Sequence, residues 1–476
     1  MTDCNRSVFE FQASHKREVI GDFSGGRITS DGGGLLLREV ENRLGIIREF
    51  SDCFLDYRDA SRTEHSLYEL LCQRIFALAL GYEDLNDHDV LRSDPLLAVM
   101  AGKADPAGGD RIREGDRGKA LAGKSTLNRL ELGPGDESSL SRYKKIVFQA
   151  ECVLNFFVDV FLQAHDQPPG EIVLDLDATD DPLHGEQEGR FFHGYYDCYC
   201  YLPLYIFCGE HLLCARLRPS NIDGADGCLE DVAGIVDRIR SVWPEVRIVV
   251  RGDSGFCRND LMTWCESRGV KYVLGLAKNA RLERILAARL KYAGFIHRMF
   301  GVSTRYFQDF DYRTLKSWDC ERRVVGKAEY LDKGANPRFV VTNLSREEWE
   351  ARALYEELYC ARGEMENRIK EQQLCLFADR TSTHTMRGNQ MRLIFSSVAY
   401  LLVSGFRRLG LSGTVLAKAQ CDTIRLKLFK IGAQVRVTVR KIWVKLASGY
   451  PYADVFAQAW GRLKKIPEKE VSPSPC

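Results

Sequence analysis

EIVLDLDATDDPLHGEQEG, residues 171–189, is the stretch on which the fold turns. Ile172, Val173, Leu174 and Leu176 make an apolar strand that carries Asp175 and Asp177 toward its end. Asp180 and Asp181 follow in the turn before Pro182. Side chains alternate faces along a strand, so Asp175 and Asp177 point the same way. Ionised carboxylates are not held against an apolar core unless something positive offsets their desolvation. The pair is either the polar end of a strand entering a turn or the first element of a metal site, and this stretch alone leaves both readings open.

Downstream, YLPLYIFC and HLLCARLRP read as a second and a third strand. A helical pattern follows over Cys228–Val242, then the strand RIVVRGD, a helix over Asn259–Ser267 and the strand VKYVLGL. The order β-β-β-α-β-α-β is that of the ribonuclease H fold. In that fold the first and fourth strands are parallel neighbours, so Asp177 at the end of one would meet Asp253 at the end of the other. Over residues 300–343, STRYFQDFDYRT, RRVVGKAEYL and PRFVVTNL alternate in β fashion and read as a β-rich insertion. Helical patterns resume over 346–376 and 391–409.

Upstream, SDGGG precedes LLLREVENRLG, a helix with an apolar stripe of Leu35, Leu36, Val40 and Leu44 that Asp31 or Ser30 can cap. A second helical pattern covers 64–80, a Gly-, Asp- and Arg-rich loop covers 103–120, and a long apolar helix over 141–164 ends at the break DQPPG. The fold class expected is α/β: a ribonuclease H-like core with a β-rich insertion, preceded by a helical N-terminal domain. Its segments are 1–168 (helical), 169–299 (core), 300–345 (insertion), 346–410 (core) and 411–476 (basic C-terminal segment). The tail after Ile466 is expected to be disordered.

A chain of 476 residues exceeds one compact core, so two or three domains are expected. The net charge of +1 hides a local excess, because the C-terminal segment is rich in Lys and Arg. There Arg436, Arg440 and Lys441 alternate with Val437, Val439 and Ile442, a pattern suited to DNA-backbone contact. The 16 cysteines form no CxxC pair, which argues against a zinc ribbon and for a reducing compartment. No apolar leader and no run of membrane length is present, so a cytoplasmic location without membrane contact is expected.

In LYCARGEMENRIKEQQ, from Leu358, helical spacing puts Tyr359, Arg362, Glu366, Lys370 and Gln373 on one face. One reading is a solvated face laced by Arg362–Glu366 and Glu366–Lys370 pairs. The other is a phosphodiester-cutting site, with a guanidinium that grips phosphate and a carboxylate that holds a divalent ion.

These motifs carry a resemblance. The chain resembles the DDE transposases of bacterial insertion sequences, and looks most like their thirteen-eighty family, over nearly its whole length. DATDDPLHGEQEG supplies the first acid, RGDSGF the second and YCARGEMENRIKE the third. The family's D-x-T pattern selects Asp177, with Thr179, over Asp175. Its Tyr-x2-Arg-x3-Glu-x6-Lys signature matches Tyr359, Arg362 and Glu366, while Gln373 stands at the lysine position and Lys370 lies one turn earlier on the same face. The resemblance implies that Asp177, Asp253 and Glu366 are catalytic and hold two Mg²⁺ ions, with Mn²⁺ able to substitute. It implies cut-and-paste transposition: cleavage at the element's ends, then strand transfer by 3′-hydroxyl attack. Tyr359, Arg362, Lys370 and Gln373 would position the phosphates of the scissile strand. The implied partners are terminal inverted repeats, target DNA and a second copy of the chain in the synaptic complex, in the bacterial nucleoid. The helical N-terminal domain would serve DNA-end binding or dimerisation. The 113 residues from Asp253 to Glu366 leave room for the insertion.

Three further residues carry two readings each. His184 faces the substrate or sits in a turn, Arg251 contacts phosphate or pairs with the acids, and Trp318 stacks on an unpaired base or fills the insertion's core. GKALAGKS, residues 118–125, matches a phosphate-binding loop letter for letter, but GGDRIREGDR before it holds no strand, and KSTLNRLEL reads as a helix start. The remaining rivals are a nuclease of the same fold that does not join strands and a DNA-binding relative without catalysis.

Overall fold

The computed structural model describes residues 8–469. They divide into two compact units, one of Gln149–Ser397 and one that joins the chain up to Phe148 with the chain from Val398 on.

In the first unit, alternating apolar residues build a nine-stranded mixed sheet. Its main strands are β1 (Glu171–Ala178), β2 (Leu204–Cys208), β3 (His211–Arg216), β4 (Arg247–Gly252), β5 (Lys271–Leu276), β6 (Thr304–Tyr312), β7 (Arg322–Leu331) and β8 (Arg338–Thr342). Their order is β3-β2-β1-β4-β5-β8-β7-β6, and the short strand Gly334–Ala335 pairs with β7. β4 is parallel to both β1 and β5, and the other pairs are antiparallel. The strands of 300–343 therefore continue the central sheet, through β8 on β5, and do not form a separate layer.

Period-two alternation settles what each face does. Ile172, Leu174 and Leu176 of β1 enter a core shared with Val158 and Phe161 of α1 (Ala150–Gln163), Val232, Ile235 and Ile239 of α2 (Cys228–Val242), and Leu261 of α3 (Asn259–Ser267). Each such buried aliphatic side chain contributes about 1.5–3 kcal/mol. On the opposite face Val273, Val325 and Val340 pack on Leu354, Tyr355 and Leu358. Asp175 and Asp177 belong to that second face, where the helical run that begins at Ala351 lies.

Trp318 is buried in the larger core beside Tyr312, with Arg322 stacked 5.6 Å from its ring, so it offers no free face to a base. A 21-residue helix, α4 (Ala280–Phe300), was not read in the sequence; it packs Leu282, Leu286 and Ala293 inward against β6 and β7.

The second unit is stitched from both ends of the chain. Ala433–Val437 pairs with Ile28–Thr29 on one side and with Ile442–Leu446 on the other. Gly33 admits no side chain, since a Cβ there would lie 1.6 Å from the Leu428 carbonyl oxygen. Asp31 does not cap the following helix; it receives the Tyr82 hydroxyl at 2.7 Å and pairs with Lys430 at 2.6 Å. The helix Leu67–Leu80 begins with a capping box formed by Ser66 and Glu69. The helix expected over 141–164 is shorter, because Ile146–Phe148 is a strand paired with Phe54–Asp56, and α1 begins only at Ala150. The unit boundaries thus fall at 148 and 398, whereas the sequence suggested 168 and 410. The helix Met386–Gly410 is long and apolar enough to cross a membrane, yet its apolar window is 89% buried inside the protein, as for a core helix. Of the tail expected to be disordered, residues 470–476 lie outside the described residues.

Candidate active site

The parallel pairing of β1 with β4 sets the first two acids. Arg251 lies opposite Asp175 and Gly252 opposite Leu176, so the next step along both strands is Asp253 beside Asp177. The Asp253 carboxylate accepts the Gly255 backbone N–H at 2.7 Å and caps the turn Ser254–Phe256. The third acid comes from a helical run with two widened turns, Leu354–Tyr359 and Glu371–Cys375, on either side of Gly363–Lys370. Widened turns of this kind recur at functional sites, where they re-aim side chains.

Arg362 is where two of the acids meet. Its guanidinium donates to Asp177 at 2.8 Å and stands 3.9 Å from Glu366, while its buried Nε has no partner. Asp253 acts on the same guanidinium through its charge. Asp177 is held up at about 6, above the usual carboxylate range. Burial is the main cause; Arg362 opposes it, and the charges of Asp253 and Glu366 add to it. Asp177 is shielded, but the Glu366 side chain is 51% exposed, so the set opens to solvent on the Glu366 side.

A second arginine has a different task. Arg251 is buried and grips Asp175 with two bonds, at 2.5 and 2.8 Å, and donates a third to the Leu358 carbonyl. Those donors are engaged inside the protein and face no phosphate; of its two readings, the structure holds the pairing with an acid, and that acid is Asp175. Arg251 thereby ties β1, β4 and the helical run of the third acid into one frame. Burial raises the Asp175 carboxyl, and Arg251 opposes that rise.

Gly275 on β5 lets the frame close: a Cβ there would lie 2.7 Å from the Tyr359 hydroxyl, 2.8 Å from the Ser254 nitrogen and 3.0 Å from the Asp253 carbonyl carbon. Tyr359 is half-buried at this point. Gln373 turns toward the first acid's loop and donates to the Asp180 carbonyl at 3.2 Å. Lys370 and His184 are exposed. Arg436, Arg440 and Lys441 are exposed on the hairpin of the other unit, Lys441 lying 5.6 Å from the Trp443 ring.

Sequence reasoning missed the Arg251–Asp175 bracket as a frame, and it missed Gly275. It also missed Tyr196, which donates to the Ala178 carbonyl at 3.2 Å and feels the charges of Asp180, Asp177 and Asp253. A cavity of about 420 Å³ adjoins the second acid, lined by Asp253, Tyr359, Tyr355 and the cations Lys278 and Arg338. Neither cation carried a signal, because Lys278 sits in a short loop and Arg338 opens β8, both remote from the motifs.

The three acids offer hard oxygen donors of the kind Mg²⁺ and Mn²⁺ take. Among the described residues no three His, Cys, Asp or Glu side chains cluster closely enough to hold one ion, and the cation that Asp177 and Glu366 share is Arg362. The donor chemistry fits a divalent ion, in an arrangement bridged by arginine.

A family model described as "Transposase DDE domain group 1" matches residues 11–468. No curated protein matches the chain. Among solved structures the chain is similar to a piggyBac transposase in a synaptic complex with hairpin DNA, at 12% identity, over 84% of this chain and 80% of that one, with a TM-score of 0.42.

Proposed function

The chain belongs to the family of transposases with a DDE domain of group 1, and from that premise we infer that it is a DNA transposase that cuts insertion-sequence ends and joins them to target DNA. The observation that carries this reading is the meeting of Asp177 and Glu366, from a strand and a helix, at Arg362, with Asp253 at the end of the strand parallel to that of Asp177. The strand order β3-β2-β1-β4-β5, with β1 and β4 parallel, supports a ribonuclease H-like core.

Asp177, Asp253 and Glu366 are the catalytic acids in this reading, and they would hold the Mg²⁺ or Mn²⁺ ions. Such ions activate the attacking oxygen and stabilise the leaving one. The chain's own residues do the rest. Arg362 stands beside Asp177 and Glu366, and would share its guanidinium with a scissile phosphate beside the acids. Lys278 and Arg338 flank the cavity next to Asp253 and steady the adjoining phosphates, with Lys370 and Tyr359 on the helical side. Arg251 keeps the acids in register by holding the helix to the sheet. Water cuts the strand and frees a 3′-hydroxyl. That hydroxyl then attacks a target phosphorus, so that one P–O bond forms as another breaks. Arg436, Arg440 and Lys441 would contact DNA backbone, and two copies of the chain would act together on paired ends in the bacterial cytoplasm.

The test uses labelled element ends, target DNA and Mg²⁺. Wild-type protein gives cut and joined products; Asp253→Asn gives neither while binding the ends within about twofold of wild type. Cut products without joined ones would indicate a nuclease, and loss of DNA binding in the variant would overturn the role given to Asp253.

A further inference from the structure

The second unit holds a cavity of about 450 Å³, within the roughly 300–1,000 Å³ usual for ligand sites, and it is strongly cationic. Arg58, Arg92 and Arg111 line it, with Arg62, Arg113, Arg129 and Lys145. The acids along it, Glu64, Asp89 and Asp116, are already committed: Glu64 to Arg111 at 3.1 Å, Asp89 to Lys124 at 3.1 Å and Asp116 to Arg92 at 2.7 Å. Arg113, Arg129 and Lys145 are exposed and make no ion pair among the described residues; Arg129 lies over the Tyr143 ring at 5.1 Å. Arg92 leaves its buried Nε without a partner. His65 on the wall is pushed down to about 3 by burial, then by Lys103 and Arg111, and is therefore neutral at neutral pH.

GKALAGKS runs into this cavity. No strand precedes its glycines, and Lys124 is engaged by Asp89 and Asn86, so it is not a nucleotide-binding loop. Its last part has another use. Gly123, Ser125 and Thr126 line the cavity, where the helix Lys124–Glu131 begins and Asp89 accepts the Lys124 backbone N–H at 3.3 Å. The hydroxyls of Ser125 and Thr126 and the unpaired guanidinium groups of Arg113 and Arg129 around one hollow are donors suited to a phosphate.

We propose that this cavity is a phosphate-binding site, separate from the three acids, that takes either a backbone phosphate of DNA or a free phosphate compound. The inference rests on cations outside the acid set and stands whether or not that set cuts DNA.

Full-length protein is titrated with pyrophosphate by calorimetry and with labelled duplex DNA by anisotropy, as wild type, Arg113→Gln/Arg129→Gln and Arg113→Lys/Arg129→Lys. Both positions are exposed, so the fold is retained, and the lysine variant reports on charge alone. Wild type binds pyrophosphate saturably, the glutamine variant binds it at least tenfold more weakly, and the lysine variant keeps most of the affinity. If the natural occupant is DNA backbone, pyrophosphate competes with DNA, and the variant's salt dependence of DNA binding is shallower by about 0.9 per lost phosphate contact. If it is a free phosphate compound, DNA affinity is unchanged while pyrophosphate binding falls. Absence of saturable pyrophosphate binding in wild type, or equal binding in the glutamine variant, overturns the proposal. Asp253→Asn serves as the control: normal pyrophosphate binding in a protein that does not cut separates this site from the acids.

Discussion

Arg251 shows how the setting of a residue decides its role. Adjacent to the second acid, it reads as a phosphate contact as easily as an ion-pair partner, and only burial separates the two. Its removal leaves Asp175 as a buried, uncompensated charge, which typically costs about 3–5 kcal/mol. Urea unfolding of Arg251→Met is expected to show a loss of that size, and Arg251→Met/Asp175→Leu to recover most of it; a double variant as unstable as the single one would contradict the bracket. Glu41 carries a pH prediction. It accepts the backbone N–H groups of Ile47 and Arg48 and the Tyr68 hydroxyl, yet burial pushes it up to about 7 from 4.5. The folded state therefore holds this proton more tightly than the unfolded chain. Its contribution is complete below about pH 4.5 and lost once the pH has risen past about 7. Between pH 5 and 8 the unfolding free energy of wild type should decline by on the order of 3 kcal/mol more than that of Glu41→Gln; parallel profiles would refute this. Asp177 and Asp253 stood out as candidates because carboxylates at the ends of apolar strands are costly without a purpose, and Glu366 through its helical spacing beside Arg362. Arg362 was legible too, but its contact with Asp177 was not, since 185 residues separate them.

Among the elements, those with strong periodicity were read well: α2 and α3 coincide with their expected spans, and β1, β4 and β5 lie where alternation placed them. The long helix over 141–164 was over-read because apolar residues continue through the strand Ile146–Phe148, where a short run fits either structure. α4 was missed although Leu282, Leu286 and Ala293 keep helical spacing, because charged residues dilute the stripe. The widened turns on the third acid's helix leave no mark in a sequence, as they answer to packing. Gly275 is likewise a demand of packing, and it yields a prediction for β5. Gly275→Ala should lower stability by about 1–3 kcal/mol through overpacking and should slow cutting more than it weakens DNA binding. Unfolding curves and a cleavage time course check this, and a cleavage rate equal to wild type would show that the close approach does not matter.

At the scale of the whole molecule, the sequence showed that more than one unit was needed, and it divided the chain in linear order. The fold instead closes the first segment with the last. Nothing local announces this, because the pairing of Ile28–Thr29 with Ala433–Val437 and the approach of Gly33 to Leu428 join residues about four hundred positions apart. Protease digestion tests it: a chain stopped at 397 should keep Gln149–Ser397 resistant and lose protection over the first 148 residues, whereas equal protection of both would contradict the division.

The closure between the two ends also bears on synthesis. While the ribosome is still at work, Gln149–Ser397 can fold as soon as it emerges, but the leading segment has to wait, its glycine turn and short strand unsatisfied, until the final stretch is released. A chain cut short before that stretch would thus leave its first 148 residues without their partner and open to chaperones and proteases.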